Sequence, residues 1–147
     1  MKMFLGEYSP NITEGSRISL PKKIREQLDN GVVLAKGFEK CIYIYDKKDW
    51  ITEAKKQVEN SGESAKIRDL ERYLYTSAVE AEIDSQGRIV IPAYLAVYAN
   101  LSERIVFLGL RDRVEVWDEA EWAKREKEIA TNAAQLIEKL AEKNDKS

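Results

Sequence analysis

A chain of 147 residues, 44% hydrophobic and 34% charged, can fill one ordinary core and keep a hydrated surface. Histidine is absent and Cys41 is the single cysteine, which removes the ordinary zinc sites, the Ser-His-Asp triad, the Cys-His pair and any intrachain disulfide. No apolar run nears the roughly 20 residues that span a bilayer, and with a formal charge of −2 any attraction for a polyanion must come from a local basic surface.

In chain order, Phe4 to Tyr8 reads as extended, a polar turn containing Gly15 and Ser16 leads to Arg17, and Ile18-Ser19-Leu20 reads as a strand. Pro21 suits the first position of a short helix, whose Ile24 and Leu28 stand at i, i+4. Two strands follow with Gly37 near the turn between them, and Ile42 and Ile44 alternate as a half-buried strand requires. Asp46 is placed as a helix N-cap. Helices are expected over 46–57 and 64–77, split near Asn60-Ser61-Gly62, the second with an apolar stripe of Ile67, Leu70 and Leu74.

The order then begins again. Val79 to Ile83 is extended, Asp84-Ser85-Gln86-Gly87 forms a turn, and Arg88 leads a strand into Pro92 and a helix carrying Leu95 and Ala99. Two strands with Gly109 near their turn end at Asp118, which with Glu121 makes a capping-box-like pattern. A last helix runs to about Lys143, with Trp122, Ile129, Leu136, Ile137 and Leu140 along one side. Packing of that side on the chain's own barrel is the first expectation, and a subunit contact the second.

These two passes are copies. Ile12 to Pro21 aligns with Ile83 to Pro92 at an offset of 71, the separation of Arg17 from Arg88 and of Pro21 from Pro92. At an offset of 72, Val33 to Gly37 matches Ile105 to Gly109, Ile42 to Asp46 matches Val114 to Asp118, and Trp50 falls on Trp122. Each copy has roughly 45 residues, too few for a lone core to outweigh chain entropy. The two should therefore complete each other in a small, closed or interleaved β-barrel with pseudo-twofold symmetry. The expected boundaries are a first repeat at 7–50, a helical connector at 51–77, a second repeat at 78–121, and a C-terminal helix and tail at 122–147.

Charge is uneven along this plan. Residues 1–45 hold seven Lys/Arg against five Asp/Glu, the only net positive stretch, whereas 78–117 hold four against six. Arg17, Lys22, Lys23 and Arg25 face a single acid, Glu14, in the turn and short helix of copy one. A short basic cluster is by itself most simply a solvated helix end.

Asp84 and Arg88, spaced as DxxxR and followed by Ile89-Val90-Ile91-Pro92, resemble the signature of the MraZ family of bacterial transcriptional regulators. Met3-Phe4-Leu5-Gly6, Arg17 to Pro21 and Val116-Trp117-Asp118 are similar to the same family, so that the resemblance covers residues 3 to about 125. It implies an α+β fold of the AbrB-like swapped-hairpin type, with both copies in one chain completing one barrel. It also implies a ring-shaped homo-oligomer that binds short direct repeats in promoter DNA upstream of its own division and cell-wall operon.

The family's motif arginines map to Arg17 and Arg88, the expected DNA contacts. Lys22, Lys23 and Arg25 are expected phosphate contacts that position the protein without reading sequence. Asp84, Gly87, Thr13 and Gly15 are expected to support the two motifs. Copy one departs from the pattern, with Thr13 for the aspartate, Gly15 for the usual lysine and Ser16 for the usual glycine. Arg17 thus lacks the acid that Arg88 has, and the two halves should contribute unequally to the grip on DNA. Trp50, Trp117 and Trp122 are expected as core anchors and Cys41 as an inert buried thiol.

The reading is therefore a regulator, expected to repress by occluding the promoter, in the cytoplasm and associated with the nucleoid. It needs no metal, cofactor, membrane or small-molecule substrate. The main alternative is an AbrB-like interaction module of a toxin–antitoxin pair. An enzyme built on Glu80, Glu82 and Asp84 is the remote third reading, since period-two spacing puts these on one solvated strand face.

Overall fold

The computed structural model describes residues 2–13, 15–60 and 64–146. Glu14 and the Ser61-Gly62 part of the expected helix break lie outside the described residues. Copy one contributes β1 (Phe4–Tyr8), β2 (Ile12–Thr13), β3 (Arg17–Ser19), α1 (Lys22–Arg25), β4 (Val32–Lys36) and β5 (Ile42–Asp46). Two connecting helices follow, α2 (Lys47–Glu59) and α3 (Ser64–Ser77). Copy two contributes β6 (Val79–Ala81), β7 (Arg88–Val90), α4 (Ala93–Tyr98), β8 (Ile105–Arg111) and β9 (Val114–Asp118), and the chain ends in α5 (Glu119–Lys146).

The strands form a six-stranded antiparallel sheet in the order β1-β8-β9-β5-β4-β6 and a three-stranded sheet in the order β2-β3-β7. The copies are interleaved, because β1 pairs with β8 of the other copy and β6 pairs with β4. Where β3 meets β7, Ile18 faces its own sequence equivalent Ile89, flanked by Arg17↔Val90 and Ser19↔Arg88. Where β5 meets β9, Tyr43 faces its equivalent Glu115, flanked by Ile42↔Val116 and Ile44↔Val114. A pseudo-twofold axis thus passes through both pairs. The interleaving with pseudo-twofold symmetry expected from the repeat, and the swapped-hairpin α+β architecture implied by the family resemblance, are the ones observed.

One core serves both copies, as the size argument requires. Ile18, Leu20, Ile24, Ile42 and Ile44 pack with their counterparts Ile89, Ile91, Leu95, Val114 and Val116. Leu34 packs there with Phe107, which faces Val116 as Leu34 faces Ile44, so β4 and β8 correspond at an offset of 73 rather than the expected 72. Gly109 differs from its expected place at a turn. It lies inside β8 opposite Gly6 of β1, where a Cβ would strike the backbone of Phe4 and Leu5.

Helix starts obey the repeat too. Asp46 accepts the Lys48 N–H at 3.1 Å and the Asn30 N–H at 3.2 Å. Asp118 accepts the Glu121 N–H at 3.3 Å and the Ser102 N–H at 3.0 Å. Each aspartate caps a helix and also ties it to the loop before the preceding strand pair. Partial burial opposes ionisation of Asp118, but the hydrogen bonds from Ser102 and Glu121 outweigh it and hold the carboxyl below its ordinary range.

Trp50 and Trp117 are buried, as is Cys41, whose thiol burial pushes up beyond ordinary titration. Glu115, only 8% exposed, accepts from Arg113 at 3.0 Å and from the Trp117 indole at 2.9 Å. Arg113 also stands over the Tyr43 ring, so the charge at the centre of the sheet is paired rather than stranded.

The last helix corrects an expectation. Trp122 packs on Trp117 and its indole donates to Glu7 at 2.8 Å, and Arg125 reaches Glu39 at 3.4 Å. Beyond those turns Ile129, Leu136, Ile137 and Leu140 are 43–69% exposed, so the stripe does not pack on the chain's own sheets. Among the described residues no helix is long and apolar enough to cross a membrane.

Candidate nucleic-acid interface

Alternation along the three-stranded sheet positions the motif arginines. Ile18 and Ile89 point into the shared core, so the neighbours on either side point outward. Arg17, Ser19, Arg88 and Val90 therefore share one outer face on adjacent strands. Period-two spacing alone would have added Ser19 and Val90 to the site; they were missed because neither is charged.

The two turns leading into this sheet are built differently. In copy two, Asp84 Oδ1 accepts the Gln86 and Arg88 backbone N–H groups, both at 2.9 Å. Its Oδ2 accepts the Arg88 Nε–H at 3.0 Å. The Gly87 N–H closes the turn on the Asp84 carbonyl at 3.0 Å, with Gly87 at φ +77°. The Arg88 backbone N–H leads in holding the Asp84 carboxyl below its usual range, with the Gln86 N–H and the guanidinium adding to it. Asp84 thus fixes the Nε side of Arg88 and leaves the outer guanidinium edge available for a ligand.

Copy one keeps the backbone shape without that carboxylate. Gly15 takes φ +76° and Ser16, the counterpart of Gly87, takes φ +58°. The Thr13 hydroxyl donates to the Arg17 carbonyl at 3.4 Å. The replacement of the aspartate in copy one therefore leaves the positive-φ backbone of Gly15 and Ser16 in place.

The α1 cations do not act as one cluster. Arg25 lies across Gly87 of the other copy's turn and donates from Nη1 to the Leu20 carbonyl at 3.3 Å. Lys22 pairs with Glu26 at 3.8 Å on the exposed side of α1. Lys23 lines a separate cleft beside β1 with Met3, Leu5, Tyr8 and Gln27. The structure thus groups Arg25 with Arg88, sets Arg17 on the same sheet face, and places Lys23 apart.

The carboxylates of the enzyme reading do not converge. Glu80 pairs with Lys47 at 2.6 Å, Asp84 is committed to Arg88, and Glu82 is exposed.

Against this geometry, the family profile described as "MraZ protein, putative antitoxin-like" matches twice, at residues 3–73 and 74–145. The chain belongs to the MraZ family. Its relatives include the transcriptional regulator MraZ of Cutibacterium acnes, 39% identical over 122 residues, covering 83% of this chain and 86% of that protein. The MraZ regulator of Alkaliphilus oremlandii is 37% identical over 142 residues, 95% of this chain and 98% of its own. That of Heliobacterium modesticaldum is 34% identical over 138 residues, 94% and 96% of the two chains. The double match of the family profile follows the same duplication that the strand registers show.

Proposed function

We propose that this protein is a DNA-binding transcriptional regulator, acting in the cytoplasm on nucleoid DNA. The carrying observation is the placement of Arg17 and Arg88 on one outer sheet face, with Arg25 lying on Gly87, in a chain of the MraZ family. Guanidinium groups offer bidentate donors to phosphate or to guanine. In this reading Arg17 and Arg88 make the central contacts, while Lys22, Lys23 and Arg25 hold phosphates. The repeats act as units 7–50 and 78–121, joined by 51–77 and followed by 122–147.

In the same reading the operator is a set of short direct repeats in the promoter of its own division and cell-wall operon. A few cations per protomer give weak binding, which a ring of protomers multiplies when the repeats match its spacing. The exposed Ile129, Leu136, Ile137 and Leu140 of α5 favour self-association. Occupancy of the promoter then excludes polymerase and represses.

Gel shifts at fixed salt with the DNA upstream of its own coding sequence test this. Arg17→Ala and Arg88→Ala should fold, keep the native mass of the assembly, and bind roughly 10-fold or more weakly, as the loss of about 1–3 kcal/mol per bidentate contact implies. Full affinity in both variants overturns the site. Failure of the wild-type chain to bind that DNA shifts the assignment to the antitoxin-like interaction module.

A further inference from the structure

The pseudo-twofold axis relates two corners of the molecule, each made of one copy's turn and the other copy's short helix. The Leu20 N–H donates to the Gly87 carbonyl at 2.9 Å, joining the α1 end to the second turn. The Ile91 N–H donates to the Ser16 carbonyl at 3.0 Å, joining the α4 end to the first. Backbone symmetry is kept at both corners. Side-chain chemistry is not.

At the first corner Arg25 lies flat on Gly87, where a Cβ would stand 2.9 Å from Cζ and 3.1 Å from Cδ. Arg88 follows at the next residue, held by Asp84. At the second corner the sequence counterpart of Arg25 is Ala96 and that of Gly87 is Ser16, a small residue over a larger one. Lys22 and Lys23 are likewise replaced by Ala93 and Tyr94. Tyr94 and Val97 of α4 are 46% and 79% exposed. One corner carries two guanidinium groups, of Arg25 and Arg88, and the other carries one, of Arg17, beside the uncharged Tyr94 and Val97, though the repeat made them equivalent.

Resting on the DNA reading above, we propose that the Arg25–Gly87–Arg88 corner is a directional phosphate grip. Each protomer then engages duplex DNA in one orientation, with most of its phosphate contacts on one side of the pseudo-twofold axis. Two guanidinium groups at one corner, Arg25 on Gly87 and Arg88 at the next residue, suit phosphate oxygens along one strand. On the other side Arg17 is accompanied by the uncharged Tyr94 and Val97, which add no phosphate contact. A symmetric reader fits an inverted half-site pair, whereas a one-sided grip fits sites repeated head to tail.

The test is phosphate-ethylation interference on both strands of the upstream duplex. The wild-type chain should show strong interference on one side of each protected site. Arg25→Ala should weaken that side and lower the salt slope of binding by about 0.9, the value of one phosphate contact; Arg25→Lys should retain most of the slope. A Ser16→Gly and Ala96→Arg double variant rebuilds the missing corner, so it should raise the slope by about 0.9 and add interference on the second side. Equal interference on both sides in the wild type, or an unchanged pattern in the double variant, overturns the directional grip while leaving DNA binding intact. Absence of any binding by the wild type overturns the regulator reading and this inference together.

Discussion

After β5 and after β9 the chain starts alike and then diverges. Both helices begin at a capping aspartate and carry a tryptophan four residues on, Trp50 or Trp122, against the outer face of the large sheet. In copy one α2 ends at Glu59, and α3 returns Leu74 to a cluster with Val33, Tyr45, Trp50 and Ala54. In copy two the equivalent of Asn60-Ser61-Gly62-Glu63 is Asn132-Ala133-Ala134-Gln135, and α5 continues as one helix of 28 residues. Alanine favours helix over glycine by about 1 kcal/mol per residue, which suits the unbroken course of α5. Duplication therefore fixed the barrel, and small local changes around it gave the two copies different outer surfaces.

The strongest test of that shared barrel is its centre. Ile18→Ala and Ile89→Ala remove equivalent residues that are 3% and 1% exposed, and each should cost about 2–5 kcal/mol by denaturant unfolding. Costs that differ several-fold would break the equivalence of the two copies in the core.

At the turns the copies should part. Gly87→Ala forces a Cβ into the left-handed region and into Arg25, for about 1–2 kcal/mol. Ser16→Gly relieves the same backbone conformation and should stabilise by up to about 1 kcal/mol. Both are read by thermal melts, and equal signs for the two changes would refute the contrast.

The helical arms give a smaller difference. Leu74→Ala should cost about 1 kcal/mol because that side chain is half-buried. Leu140→Ala, 55% exposed, should stay within about 0.5 kcal/mol in dilute monomer. A concentration-dependent cost at Leu140 would show another copy covering α5.

Asp84→Asn has the mildest effect. Its folded carboxyl titrates below the ordinary value, so its contribution is fully present above the unfolded-state range and fades as pH falls through the folded one. The melting temperature of the variant should lie slightly below wild type at neutral pH, and the gap should close in acid. A gap that persists there would assign the loss to the side-chain shape rather than to its charge.

Much of this was legible in the residues. Two prolines after two arginines at one spacing announced the repeat, period-two alternation placed Ile18 and Ile89 inward, and Asp46 and Asp118 announced the caps. These are local rules, and each acts within a few residues along the chain. Of the apolar stripe on α5, Trp122 packs on the chain's own sheet as first expected while Ile129, Leu136, Ile137 and Leu140 do not, since a pattern states which face is apolar and not whether a surface lies near enough to cover it.

The uneven motif shows the division most clearly. From the sequence, copy one held the basic helix without the aspartate, and copy two held the aspartate in an acidic stretch, as if each half were incomplete. Interleaving decides otherwise, because the hydrogen bond from Leu20 to Gly87 brings the α1 end of copy one to the intact turn of copy two. Sequence determined the parts, their duplication and the direction each side chain takes from its own strand. Tertiary structure alone decided that Arg25 lies on Gly87, the residue before Arg88, because that contact joins residues 62 positions apart (87 − 25) through strand exchange, which no local period records.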